Sequence, residues 1–79
     1  MIFKETKLSG AYIVEFEKKE DERGFFGRAF CAHEFEEHGL CSRLVQANIS
    51  YNHKRGTLRG MHYQVSPASE PKFIRCISG

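Results

Sequence analysis

The chain is 79 residues long, with 41% hydrophobic and 28% charged residues and a formal net charge of +2 at pH 7. This is globular composition rather than that of a disordered tail; no apolar run reaches the roughly 18 residues of a membrane span, and so small a charge gives nucleic acid no footprint of its own. Cys31, Cys41 and Cys76 form no C-x-x-C pair, and the start lacks a basic stretch followed by an apolar one, so the chain reads as a cytoplasmic protein with reduced thiols.

In chain order, Tyr12 to Glu17 is rich in β-formers and predicts a strand, closed by the charged run Lys18 to Arg23 and by Gly24. The aromatic stretch Phe25 to Cys31 follows, interrupted by Gly27 and Arg28. Phe25 and Phe26 must point to opposite faces of a strand, so one is expected in the core and the other needs a partner or a flat ligand. Ala32 to His38 predicts a short acidic helix with Phe35 turned inward, ending at Gly39 in a left-handed conformation. Leu44 to Asn52 alternates, with Leu44, Gln46, Asn48 and Ser50 on one side and Val45, Ala47, Ile49 and Tyr51 on the other, which predicts a strand.

His53 to Gly56 is a turn signal, Leu58 to Gln64 resumes extended character, and Pro67 and Pro71 bracket a loop. Lys72 to Ser78 alternates again and predicts a last strand, with Cys76 filling core space beside Ile74. Short strands separated by turn signals predict an all-β sandwich or barrel. Gly79, placed after an alternating strand, is expected to open a turn into a further strand, so residues 1–79 read as one partial domain. A sheet stopping there leaves an open edge that recruits another chain.

Two segments bear on chemistry. His33 to His38 invites comparison with the zinc pattern H-E-x-x-H, but a spacing of five turns the second imidazole about 140° around a helix from the first, so no metal is expected. The other segment is Leu58-Arg59-Gly60-Met61-His62-Tyr63-Gln64, where extended geometry puts His62 on the face of the side-chain-free Gly60. An imidazole, titrating ordinarily near about pH 6.5, suits proton abstraction at neutral pH. A structural or surface histidine remains the competing reading. Arg23, Arg28, Arg59 and Lys72 add cations suited to phosphate or to an oxyanion, or simply to water. Gln46 and Asn48 line a carbohydrate or nucleotide pocket or face solvent.

Asp21-Glu22-Arg23-Gly24-Phe25-Phe26, Val45-Gln46-Ala47-Asn48, Leu58 to Gln64 and Lys72-Phe73-Ile74-Arg75-Cys76 together resemble the dTDP-4-dehydrorhamnose 3,5-epimerase family of the cupin superfamily. The likeness spans nearly the whole chain but only the first part, close to half, of the family's usual length. It implies a cupin jelly-roll and a cofactor-free epimerase of a 4-keto-6-deoxy sugar nucleotide, in which a base removes the protons beside the C4 ketone.

On that resemblance His62 is the general base and Lys72 stabilises the enolate oxygen. Arg23 and Arg59 bind near the diphosphate or sugar, and Gln46 and Asn48 contact the nucleotide diphosphate. Phe26 packs on the nucleobase from a neighbouring subunit, which implies a homodimer formed by strand exchange or edge pairing. Arg28 stands where the family typically carries a glutamate, reversing the charge beside that aromatic. The family's acid tyrosine and the aspartate that orients the histidine lie downstream of Gly79. A catalytically inert nucleotide-sugar-binding module, or a fragment paired through its open edge, is the alternative reading.

Overall fold

The computed structural model describes residues Met1–Gly79 as two compact units, Met1–Gln46 and Ala47–Gly79. The first unit carries all the regular structure: β1 (Ile2–Glu5), β2 (Tyr12–Glu15), β3 (Lys19–Asp21), β4 (Gly24–Phe26) and one helix, α1 (Ala32–Glu37). Its strands make two separate antiparallel pairs, β1 with β2 and β3 with β4.

In the β1–β2 hairpin, Phe3 faces Val14 and Glu5 faces Tyr12. Tyr12 and Val14 are half-buried while Ile13 and Glu15 are exposed, the expected alternation of a strand with one wet face. The connecting loop closes on itself: Thr6 Oγ1 donates to the Ala11 carbonyl at 2.9 Å and accepts from the Leu8 amide at 3.1 Å. Gly10, at φ 81°, makes the left-handed step in that loop.

Helix α1 is where the sequence placed it, and its end follows from glycine. The Gly39 amide donates to the Glu36 carbonyl at 3.0 Å and the Leu40 amide to the Phe35 carbonyl at 2.9 Å, with Gly39 at φ 69°. That pair of bonds satisfies carbonyls which a stopped helix leaves open. Phe35 turns inward and is 3% exposed, the one buried hydrophobic side chain of the protein. Phe30 meets it edge-on at 4.8 Å and Phe3 at 5.7 Å between ring centroids. His38 lies flat on Phe3 at 3.9 Å and bonds through Nδ1 to the Glu34 carbonyl at 2.7 Å, so an aromatic cluster joins the helix to the first hairpin.

The charged run Lys18 to Arg23, expected only to close a strand, contains β3. Its partner β4 sets Lys19 against Phe26 and Glu20 against Phe25 across a two-residue turn. Neither phenylalanine enters a core: Phe25 is 55% exposed and stacks on Phe16 at 5.8 Å, and Phe26 is 76% exposed. Gly27 then passes so close to Phe16 that a methyl at this position would lie 2.5 Å from its Cδ2 and 3.0 Å from the Glu17 carbonyl oxygen. Gly27→Ala is therefore expected to destabilise this hairpin by about 1–3 kcal/mol through overpacking. A urea midpoint equal to that of the parent protein would contradict the close approach.

Three sequence expectations are corrected from Leu44 onward. Leu44 to Asn52, Leu58 to Gln64 and Lys72 to Ser78 form no strand, and every residue from Ala47 to Gly79 is exposed. Alternation is present, but a strand needs a neighbour for its N–H and C=O groups, and these segments find none in this chain. Gly60, at φ 69°, also breaks the extended run around His62. Cys76 is exposed rather than in a core, and Ile74 beside it is 82% exposed. The turns are where composition put them. The Thr57 amide bonds to the Lys54 carbonyl with Gly56 at φ 80°, and the Ala68 amide bonds to the Val65 carbonyl beside Pro67. No helix is long and apolar enough to cross a membrane.

Candidate active site

In the first unit the β3–β4 turn presents Arg23. Asp21 Oδ1 accepts from the Arg23 amide at 2.8 Å, and Asp21 Oδ2 accepts from Arg23 Nε at 3.1 Å and Nη2 at 2.6 Å. The guanidinium beside it holds the Asp21 carboxyl below the usual carboxylate range, and that carboxylate in turn pushes the Arg23 guanidinium up. The pair is solvent-exposed and therefore weakly held, so a phosphate can compete for the arginine.

Phe26, at the end of β4, lines a concavity of about 160 Å³ with Met1, Glu17, Lys19, Gly27 and Arg28. Arg28 is anchored at one nitrogen: Nη1 donates to Glu34 Oε2 at 3.2 Å. The other oxygen of Glu34 accepts from the Met1 ammonium at 3.0 Å. Those two donors, the ammonium first and Arg28 second, hold the Glu34 carboxyl down from its ordinary 4.5 to about 2.

The folded-state value of Glu34 is the lower one, so its contribution is complete above the unfolded value of 4.5 and is lost as pH falls toward 2. The unit is expected to lose helix signal across that window, and Glu34→Gln is expected to flatten the acid limb of a circular-dichroism titration. An unchanged limb in the variant would remove Glu34 from the account.

In the second unit, Arg59 and His62 are brought together through the backbone. His62 Nε2 lies 2.8 Å from the Arg59 carbonyl oxygen. A carbonyl oxygen only accepts, so Nε2 carries the proton and Nδ1 is left with the lone pair. Gly60 permits this fold-back, since a Cβ there would lie 3.2 Å from Nε2. Arg59 Nη1 reaches Asn52 Oδ1 at 3.4 Å. Lys72 bonds instead to Glu70 Oε1 at 2.9 Å. Gln46, in the first unit, and Asn48, in the second, are both exposed.

Sequence reasoning named the cations but missed their carboxylate and amide partners Asp21, Asn52, Glu34 and Glu70. Two were readable. In Asp21-Glu22-Arg23-Gly24 and Glu70-Pro71-Lys72 the acid and the base stand two apart beside a turn former, a spacing that lets the side chains meet.

A family model described as dTDP-4-dehydrorhamnose 3,5-epimerase matches residues 5–79. The chain is similar to a dTDP-4-dehydrorhamnose 3,5-epimerase of Methanothermobacter thermautotrophicus, 44% identical over 98% of this chain and 40% of that one. It is also similar to the protein of the same description from Shigella flexneri, 41% identical over 94% of this chain and 41% of the relative. A dTDP-4-dehydrorhamnose 3-epimerase of Streptomyces niveus is 33% identical over 91% of this chain and 35% of its own length. No solved structure gives a significant match. The chain thus spans about two fifths of the length of the curated relatives it matches.

Proposed function

Because the chain belongs to the dTDP-4-dehydrorhamnose 3,5-epimerase family, we propose that the complete polypeptide inverts carbon centres beside the ketone of a dTDP-linked 4-keto-6-deoxy sugar. The observation that carries this reading is the family match across residues 5–79, which takes in the Arg59-Gly60-Met61-His62 segment and Lys72. On this reading the residues of the chain fall into chemical roles that their types support.

His62 takes the proton from the carbon next to the C4 carbonyl. The C–H electron pair becomes the enolate double bond, and the carbonyl π pair moves onto oxygen. Lys72, a point cation with three donors, stabilises that oxyanion once it exchanges Glu70 for the developing charge. Protonation from the opposite face by an acid outside this chain completes the inversion. Arg23 and Arg59 bind phosphate or sugar oxygens, Gln46 and Asn48 contact the diphosphate, and Phe26 offers a flat face to the base. Neither a metal nor an organic cofactor has a role in this sequence of steps.

The jelly-roll and the homodimer belong to the same proposal. Two-stranded pairs expose unpaired ladder edges, and further strands or a second copy satisfy them, by edge pairing or strand exchange. A cytoplasmic location is proposed with them, from the free thiols at Cys31, Cys41 and Cys76.

The test is the stereochemistry of the product. The complete polypeptide, incubated with dTDP-4-dehydro-6-deoxyglucose, is expected to yield sugar inverted at C3 and C5 by proton NMR. Inversion at C3 alone would match the relative described as a 3-epimerase. Binding without inversion at either carbon would favour the inert module.

A further inference from the structure

We propose that Asp21 is a tethered internal anion that tunes phosphate binding: it competes with a ligand's phosphate for the Arg23 guanidinium while the β3–β4 turn keeps it within reach. The proposal rests on the reading of Arg23 as a phosphate- or sugar-binding residue and adds the residue through which that affinity is set.

The two carboxylate oxygens divide the work. Oδ1 accepts from the Arg23 backbone amide at 2.8 Å, the Asx-type bond that an aspartate makes to the residue two positions on. Oδ2 takes the side chain, accepting from Nε at 3.1 Å and from Nη2 at 2.6 Å. Asp21 is the last residue of β3 and pairs with Gly24, the first of β4, so the backbone at Arg23 stays beside the carboxylate while the hairpin holds. The Lys72 pair has no such tether: Glu70 meets it at the ammonium, 2.9 Å away.

Competition follows from charge and position. The Arg23 side chain is 85% exposed and that of Asp21 48%, so phosphate oxygens can reach Nε and Nη2 and take the charge-assisted fork that arginine offers. They do so against the bonds that Oδ2 gives up. They also meet a carboxylate that the amide bond keeps at the turn, and like charges repel. Both effects weaken phosphate binding, so removing the negative charge strengthens it. Asparagine at this position keeps an acceptor for the Arg23 amide and favours the same turn, which separates the charge from the fold. A purely structural Asp21 predicts the opposite sign, since a loosened turn would weaken the ligand.

Calorimetric titration of the complete polypeptide with dTDP tests the proposal without requiring turnover. Asp21→Asn is expected to bind dTDP about two- to fivefold more tightly than the parent, the scale of an exposed ion pair. Asp21→Ser, whose hydroxyl also accepts from the amide, is the second neutral variant and is expected to shift the same way. Arg23→Ala is expected to weaken binding, and Asp21→Asn added to it should recover little, because the carboxylate acts through the guanidinium. Neutral variants that bind no more tightly than the parent, while Arg23→Ala binds more weakly, would overturn the proposal and leave the reading of Arg23 intact. An undiminished gain in the Arg23→Ala background would overturn it as well. Parent affinity in Arg23→Ala would instead remove Arg23 from the binding site, and the proposal with it.

Discussion

Phe35→Ala is expected to cost about 3–5 kcal/mol, the range for removing a buried aromatic from a packed site. The cost falls on one spot because Phe35 is the single buried hydrophobic side chain and its two edge-on neighbours, Phe3 and Phe30, come from different segments. Without the Phe35 ring, Phe3 keeps only His38 and Tyr12, and the helix loses its apolar tie to the first hairpin. Whole domains hold only about 5–15 kcal/mol of net stability, so the loss takes a large share of it. Amide hydrogen exchange in β1 and β2 of the complete polypeptide should accelerate in step with that cost. Phe35→Leu, which keeps most of the volume, should recover the larger part. Protection unchanged in Phe35→Ala would mean that the hairpin and helix are held by something other than this cluster.

The second large effect is catalytic. His62→Ala in the complete polypeptide is expected to lower the epimerisation rate by about 10²–10⁴-fold, the usual contribution of a positioned general base. Substrate affinity should change little, because the proposed binding groups are Arg23, Phe26, Gln46, Asn48 and Arg59. The expected signature is therefore a fall in kcat with KM nearly unchanged. A variant that keeps the parent kcat would take the imidazole out of the mechanism. A variant that loses affinity and rate together would make His62 a binding residue. The fold-back of the ring onto the Arg59 carbonyl adds a structural expectation: the lone pair that receives the proton is on Nδ1 in this conformation.

The parts of the fold that the sequence made readable are those decided within a few residues. Tyr12 and Val14 alternate with Ile13 and Glu15 because a strand with one wet face must do so. Gly39 ends the helix because the left-handed step there costs glycine nothing. Phe35 is the inward residue of a short acidic helix, and the turns at Gly56 and Pro67 follow from composition.

What was not legible depends on partners. β1 has only Phe3 facing inward, beside exposed Ile2, Lys4 and Glu5, so no period announces it until β2 lies beside it. β3 contains no hydrophobic residue at all, and its strand character comes from the turn and from Phe25 and Phe26 across the ladder. The converse holds for Leu44 to Asn52 and Lys72 to Ser78, where a clear alternation finds no neighbouring strand in this chain.

The candidate site divides in the same way. Arg59 and His62 could be singled out from their own segment, and the backbone bond between them is local. Asp21 and Glu70, which bond to Arg23 and Lys72, act through side-chain reach around a turn. Residue type alone did not reveal that both cations already have carboxylate partners, although the acid–base spacing of two made them readable. On the proposed function, a sugar nucleotide exchanges oxygens with those partners when it binds, which exposed pairs allow at small cost.

The most direct test of proton abstraction beside the ketone is isotope uptake. The complete polypeptide and its dTDP-linked keto sugar are incubated in deuterium oxide, and the recovered sugar is weighed by mass spectrometry. Two deuterons per molecule, located at C3 and C5 by NMR and absent from a parallel incubation with His62→Ala, are the expected outcome. Sugar recovered without deuterium from the parent protein, or deuterated equally fast by the variant, would contradict the account.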